Sequence, residues 1–138
     1  MKQFEILDIS GDAGIRAFGK DLPELFANAA TGMYSLIIDT QDIQEKRTLA
    51  ISSQGSSQEG LLVAFLNELI FHFDAYGFVG KSITITRLDN TSVTAEISGE
   101  EFNPDHHKGK LLIKAATYHK LKIEEKGDYW EAEVIFDI

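Results

Sequence analysis

The chain has 138 residues, of which 43% are hydrophobic and 25% charged, and its formal net charge is −9. That length and composition suit one globular domain, residues 1–138, and not a disordered segment. The lack of cysteine excludes a disulfide scaffold, thiolate-bound zinc, an iron–sulfur cluster and a cysteine nucleophile.

In chain order, Lys2–Leu7 and Ile15–Phe18 read as two short strands around a turn at Ser10–Gly14. A helix opens at Asp21, with Glu24 three residues on in a capping pattern and Pro23 in the first turn. Leu22, Leu25, Phe26, Ala29, Ala30, Met33 and Tyr34 then recur at helical spacing, which predicts a helix near 21–37. Arg47–Ser52 alternates as a strand. The polar run 52–58 reads as a loop ending in a second helix start at Ser56, with Glu59 three residues on. Leu62, Phe65, Leu66, Leu69, Ile70 and Phe73 form its stripe, and Gly77 stops it, giving a helix near 57–76. His72 beside that stripe reads as a packing residue. Ser82–Leu88, Ser92–Ser98, Lys110–Ala116, Lys120–Glu125 and Tyr129–Ile135 alternate as strands, with turns at Asp89-Asn90 and Lys126-Gly127-Asp128. The predicted fold is α+β: two helices packed on a largely antiparallel sheet. Phe26, Phe65, Leu66, Leu69, Trp130 and Phe136 are its expected core.

No apolar run approaches the roughly 20 residues of a membrane span, and the N-terminus lacks a signal-peptide core. The expectation is a cytoplasmic protein with no membrane partner. Its acidity opposes non-specific binding to a phosphate backbone. The charge is uneven, however. From His106 to Ile123 there is no Asp or Glu, while five lysines and three histidines occur. The stretch reads either as a solvated hairpin face or as an anion or partner site. No Walker loop and no nucleophile elbow is present. Asp8 and Asp12 bracket a Gly-containing turn, and Asp137 precedes the terminal carboxylate of Ile138. Should the last strand be central, Asp12, Asp137 and Ile138 would form an oxygen-rich shell suited to Ca²⁺, Mg²⁺ or Mn²⁺. Turn-capping by Asp12 and a frayed chain end are the alternatives.

Six segments together resemble the archease family. They are the opening Phe4–Gly19, which includes Asp8-Ile9-Ser10-Gly11-Asp12-Ala13-Gly14-Ile15, the helix segment Leu25–Met33, Leu66–Phe71, Gly99-Glu100 with Pro104 and His107, Lys114–His119, and Ile135–Ile138. Ile9 and Ser10 stand where that family has His and Thr, and Asn103 stands where it has Asp. The resemblance implies an SHS2-like α+β fold and a non-enzymatic accessory role in tRNA splicing or RNA repair. The implied partner is an RtcB-type RNA ligase, GTP- and Mn²⁺-dependent, joining 3′-phosphate to 5′-hydroxyl ends. The accessory protein would promote guanylylation of the ligase and multiple turnover, meeting RNA only through the ligase. The resemblance also implies a divalent cation, Ca²⁺ first and Mg²⁺ or Mn²⁺ next, at Asp12, Asp137 and Ile138. His107, Lys108, Lys114 and His119 are the expected partner or nucleotide contacts. A small-molecule-binding domain or metal-dependent enzyme using the same carboxylates, and a chaperone-like helper, are the alternatives.

Overall fold

Antiparallel pairing begins with the first turn. In the computed structural model, which describes residues 1–138, β1 (Phe4–Ile9) and β2 (Asp12–Gly19) form a hairpin ending at the pair Ile9↔Asp12. The turn is Ser10-Gly11 alone, with Gly11 at φ 80°. The wider turn expected over Ser10–Gly14 is therefore corrected: Ala13 and Gly14 stand in the sheet opposite Phe136 and Ile135. Gly14 is there because a Cβ would lie 2.7 Å from Ile9 Cδ1 and 3.2 Å from the Val134 carbonyl oxygen. A glycine that reads as a bend is an in-sheet position without room for a side chain.

Helix α1 (Leu22–Ile37) starts as its sequence predicts, with the Asp21 side chain accepting from the Glu24 N–H at 2.9 Å. Helix α2 (Gln58–Tyr76) is capped by Ser57, one residue after the expected Ser56, and the Ser57 hydroxyl accepts from the Gly60 N–H. Gly77 closes it in the left-handed conformation, its N–H bonding the His72 and Phe73 carbonyls.

The strands form two sheets where one was expected. β3 (Arg47–Gln54), β4 (Phe78–Leu88) and β5 (Ser92–Glu101) form a three-stranded antiparallel sheet in the order β3-β5-β4. β6 (Ala115–Ala116), β7 (Lys122–Glu125) and β8 (Trp130–Asp137) join β1 and β2 in a five-stranded sheet. There β8 is central, with β2 on one side and β7 and β6 on the other. Helix α1 touches both sheets. Its Gly32 backs onto Phe4 and Ile15, while its Tyr34 ring backs onto Gly80 of β4. Phe26, Phe65, Leu66, Leu69 and Phe136 are buried as expected, and Trp130 is half-buried at the core's edge.

The strand expected over Lys110–Ala116 shrinks to Ala115–Ala116. Residues 110–114 instead run along the end of α1, where the Lys110 and Leu111 N–H groups bond the Ile37 and Leu36 carbonyls at 2.8 and 3.0 Å. The last carbonyls of a helix lack intrahelical donors. This segment supplies them, and that tertiary demand overrides the alternating pattern.

Candidate functional site

Side chains directly opposite in an antiparallel pair share a face. Ala13, Ile15 and Ala17 of β2 lie opposite Phe136, Val134 and Ala132 of β8, and all six face the core. Asp12 and Asp137 belong to the other, helix-free face. Continuing the register one residue beyond Ala13↔Phe136 sets Asp12 of β2 opposite Asp137 of β8. Cross-strand neighbours of this kind have Cβ atoms about 4.5–5.5 Å apart. Asp8, by contrast, pairs with Ala13. It therefore faces away from Asp12, and the structure does not bring those two carboxylates together.

The rest of this face shows how the fold treats its other acids. Across the sheet, Glu5, Arg16, Glu133 and Lys122 alternate in sign. Arg16 bonds Glu133 at 2.6 Å and reaches Glu5 at 3.6 Å, and Lys122 reaches Glu133 at 3.1 Å. The Arg16 and Lys122 contacts hold the Glu133 carboxyl below its ordinary range against the opposing effect of burial. Asp12 and Asp137 have no such relief: neither takes part in any salt bridge or side-chain hydrogen bond of the chain. Two carboxylates at cross-strand distance repel each other unless a cation lies between them. Hard oxygen donors without thiolate fit a hard divalent cation. No three His, Asp or Glu side chains converge to hold an ion unaided. Further donors would be main-chain oxygens or water. Ile9, the residue that departs from the family's His, is the direct partner of Asp12 across β1 and β2.

The acid-free stretch runs alongside. Lys114 donates its N–H to the Asp137 carbonyl at 2.8 Å, and Ala115 pairs with Asp137. Lys108, Lys114 and His119 are exposed, and neither lysine forms an ion pair. Of the four expected contacts, three are thus accessible, and Lys114 is the one whose main chain is bonded to that of Asp137.

His107 is not. It is 4% exposed, and both ring nitrogens are occupied. Nδ1 accepts from the Asn103 N–H at 2.8 Å, so the proton sits on Nε2, which donates to Glu100 Oε2 at 2.9 Å. Glu100 Oε2 also accepts from the Gln44 N–H at 2.6 Å, and Oε1 faces Lys46 Nζ at 3.4 Å. The Gln44 bond first, then His107 and Lys46, lower the Glu100 carboxyl from 4.5 to about 2, although burial opposes them. The expectation that His107 meets a partner is corrected: it fastens the segment after β5 to the body. Gly99 before it also serves the fold, since a Cβ there would collide with the Val79 carbonyl oxygen.

Sequence reasoning missed Asn67 of α2. Its amide accepts from the Ala116 N–H at 2.8 Å and donates to the Ala116 carbonyl at 3.2 Å. It thus pairs the free edge of β6 as a further strand would. The sequence signal was a lone Asn inside an apolar helical stripe.

The chain matches the model of the Archease protein family (MTH1598/TM1083) over residues 4–138. It belongs to the archease family. It is 34% identical to the protein archease of Pyrococcus furiosus over 142 residues, all of both chains, and 32% identical to that of Sulfurisphaera tokodaii over 140 residues, again all of both. The solution structure of Methanobacterium thermoautotrophicum protein 1598 superposes with a TM-score of 0.84 at 31% identity, covering all of both chains. A Thermotoga maritima crystal structure, described as an archease and possible chaperone, gives 0.65 at 22% identity over 96% of this chain and 94% of that one, a likeness of fold. The two-helix α+β architecture of this chain is the archease architecture. No helix in it is long and apolar enough to cross a membrane.

Proposed function

We propose that this archease activates a GTP- and Mn²⁺-dependent RNA ligase that joins 3′-phosphate to 5′-hydroxyl ends, promoting ligase guanylylation and multiple turnover in tRNA splicing or RNA repair. In this reading Asp12, Asp137 and the carboxyl of Ile138 hold a divalent cation, Ca²⁺ first, with Mg²⁺ or Mn²⁺ in its place where abundant. The ion would neutralise the paired carboxylates. The residues themselves do the positioning: β2 and β8 hold Asp12 and Asp137 in fixed register, and the Lys114 main chain is bonded to the Asp137 carbonyl. Lys108 and Lys114, exposed in the acid-free stretch, would meet the phosphate or nucleotide of the partner. The chain is accessory here and not itself the catalyst.

The single observation behind the reading is the Asp12–Asp137 pair. On a face where the other in-row acids meet Arg or Lys, these two meet none. The family resemblance supplies the partner. The test is guanylylation of such a ligase by GTP with and without the chain, followed over several turnovers. Faster guanylylation that fails with Asp12→Asn or Asp137→Asn is the expected result. A rate independent of the chain would leave the chaperone-like reading, which the description of the Thermotoga maritima relative favours.

A further inference from the structure

Exposed large hydrophobic side chains recur in the acid-free stretch. Eight exceed a third exposure, and three of them, Leu111, Leu112 and Tyr118, lie within the 18 residues of the acid-free stretch. Ile138, a fourth, follows Asp137, which pairs with that stretch at Ala115. Leu112 is the most exposed of the four at 72%.

These leucines are not on a slack loop. Gly109 bridges Ile38, Lys110 and Leu111 bond the last carbonyls of α1, and Ile113 is buried. Lys114 then bonds Asp137. Leu111 and Leu112 are therefore held outward between anchored neighbours, and little ordering entropy remains to be lost on contact. Lys110 precedes them directly and Lys114 follows two residues later, both exposed. The stretch carries five lysines and no acid, so a whole-chain charge of −9 leaves −14 on the other 120 residues.

We infer that Leu111 and Leu112 form a docking knuckle that inserts into an apolar recess rimmed by carboxylates on the partner ligase. This deepens the function proposed above and rests on it. An apolar anchor fully desolvated at the centre with charges at the rim is the usual division of labour at protein interfaces. Lysines in the same acid-free stretch favour an acidic partner surface and speed encounter. RNA offers no recess for two leucines. An anionic bilayer would repel the −14 remainder of the chain.

The test is the chain concentration giving half-maximal ligase guanylylation, for wild type, Leu112→Asp, Leu112→Ser and the control Tyr76→Ser. Tyr76 is 60% exposed on α2 and lies outside the stretch. The inference predicts a shift of at least tenfold for Leu112→Asp, a smaller shift for Leu112→Ser, and none for Tyr76→Ser. Maximal stimulation, cation binding and melting temperature should stay at wild-type values. A Leu112→Asp curve that coincides with Tyr76→Ser overturns the knuckle while wild-type stimulation keeps the ligase reading. A wild-type chain that neither binds nor stimulates the ligase overturns both. Sedimentation of wild type, but not Leu112→Asp, with phosphatidylserine vesicles would overturn the knuckle by assigning the surface to membranes.

Discussion

Two carboxylate groups in this archease lie in sequence segments characteristic of its family, and the fold treats them oppositely. Glu100 is enclosed. It takes bonds from the Gln44 N–H and His107 Nε2, with Lys46 against its second oxygen. Asp12 and Asp137 stand one register step beyond the Ala13↔Phe136 pair of β2 and β8, and neither side chain forms an ion pair within the chain. A family motif is thus no guide to role by itself. What separates a structural carboxylate from an available one is whether the protein has already used its charge. The Glu100 group holds a segment down, whereas the charges of Asp12 and Asp137 enter no ion pair of the chain.

The largest expected effect comes from breaking the enclosed group. His107→Ala removes a donor from Glu100 and an acceptor from the Asn103 N–H, and it leaves a cavity beside Phe102, whose ring lies 5.7 Å from that of His107. Chemical denaturation should show a loss of about 2–4 kcal/mol, with cation binding at the Asp12–Asp137 end retained. Asp137→Asn should do the reverse. Without added cation it should leave stability unchanged or raise it by up to about 1 kcal/mol, because a like-charge pair is relieved. With saturating Ca²⁺, wild type should gain melting temperature and the variant should not.

Acid sharpens the same contrast. A carboxyl lowered to about 2 in the folded chain contributes stability that is complete above its ordinary 4.5 and is lost as pH falls from there towards 2. Wild-type stability should fall through that window, and Glu100→Gln should fall less steeply while starting lower. The smallest effect is expected at Tyr34. Its ring is wholly buried, its hydroxyl has no partner in the chain, and burial pushes the phenol above its usual range. Tyr34→Phe should change stability by less than about 1 kcal/mol or raise it, since no hydrogen bond is lost.

Periodicity made the two helices legible to within a residue or two, because stripes such as Leu62–Phe73 repeat at 3.6 and not at 2. The strands were legible in position but not in partition. Nothing local says that Arg47–Gln54 joins a different sheet from Phe4–Ile9. Gly14 and residues 110–114 were misread for one reason: each answers a contact distant in sequence, Ile9 and Val134 for the glycine and the α1 carbonyls for the segment. The expectation that sets Asp12 near Asp137 rests on a central β8, and β8 is central. The enclosure of His107 could not, because its acceptor role depends on the Asn103 backbone and its donor role on Glu100.

The most direct measurement is calorimetric titration of Ca²⁺ into wild type, Asp12→Asn, Asp137→Asn and Glu100→Gln. The account predicts one cation per chain, weakened at least tenfold by either aspartate substitution and untouched by Glu100→Gln. Binding that survives both aspartate changes, or that follows Glu100 instead, would contradict the assignment of the free carboxylate pair as the cation site.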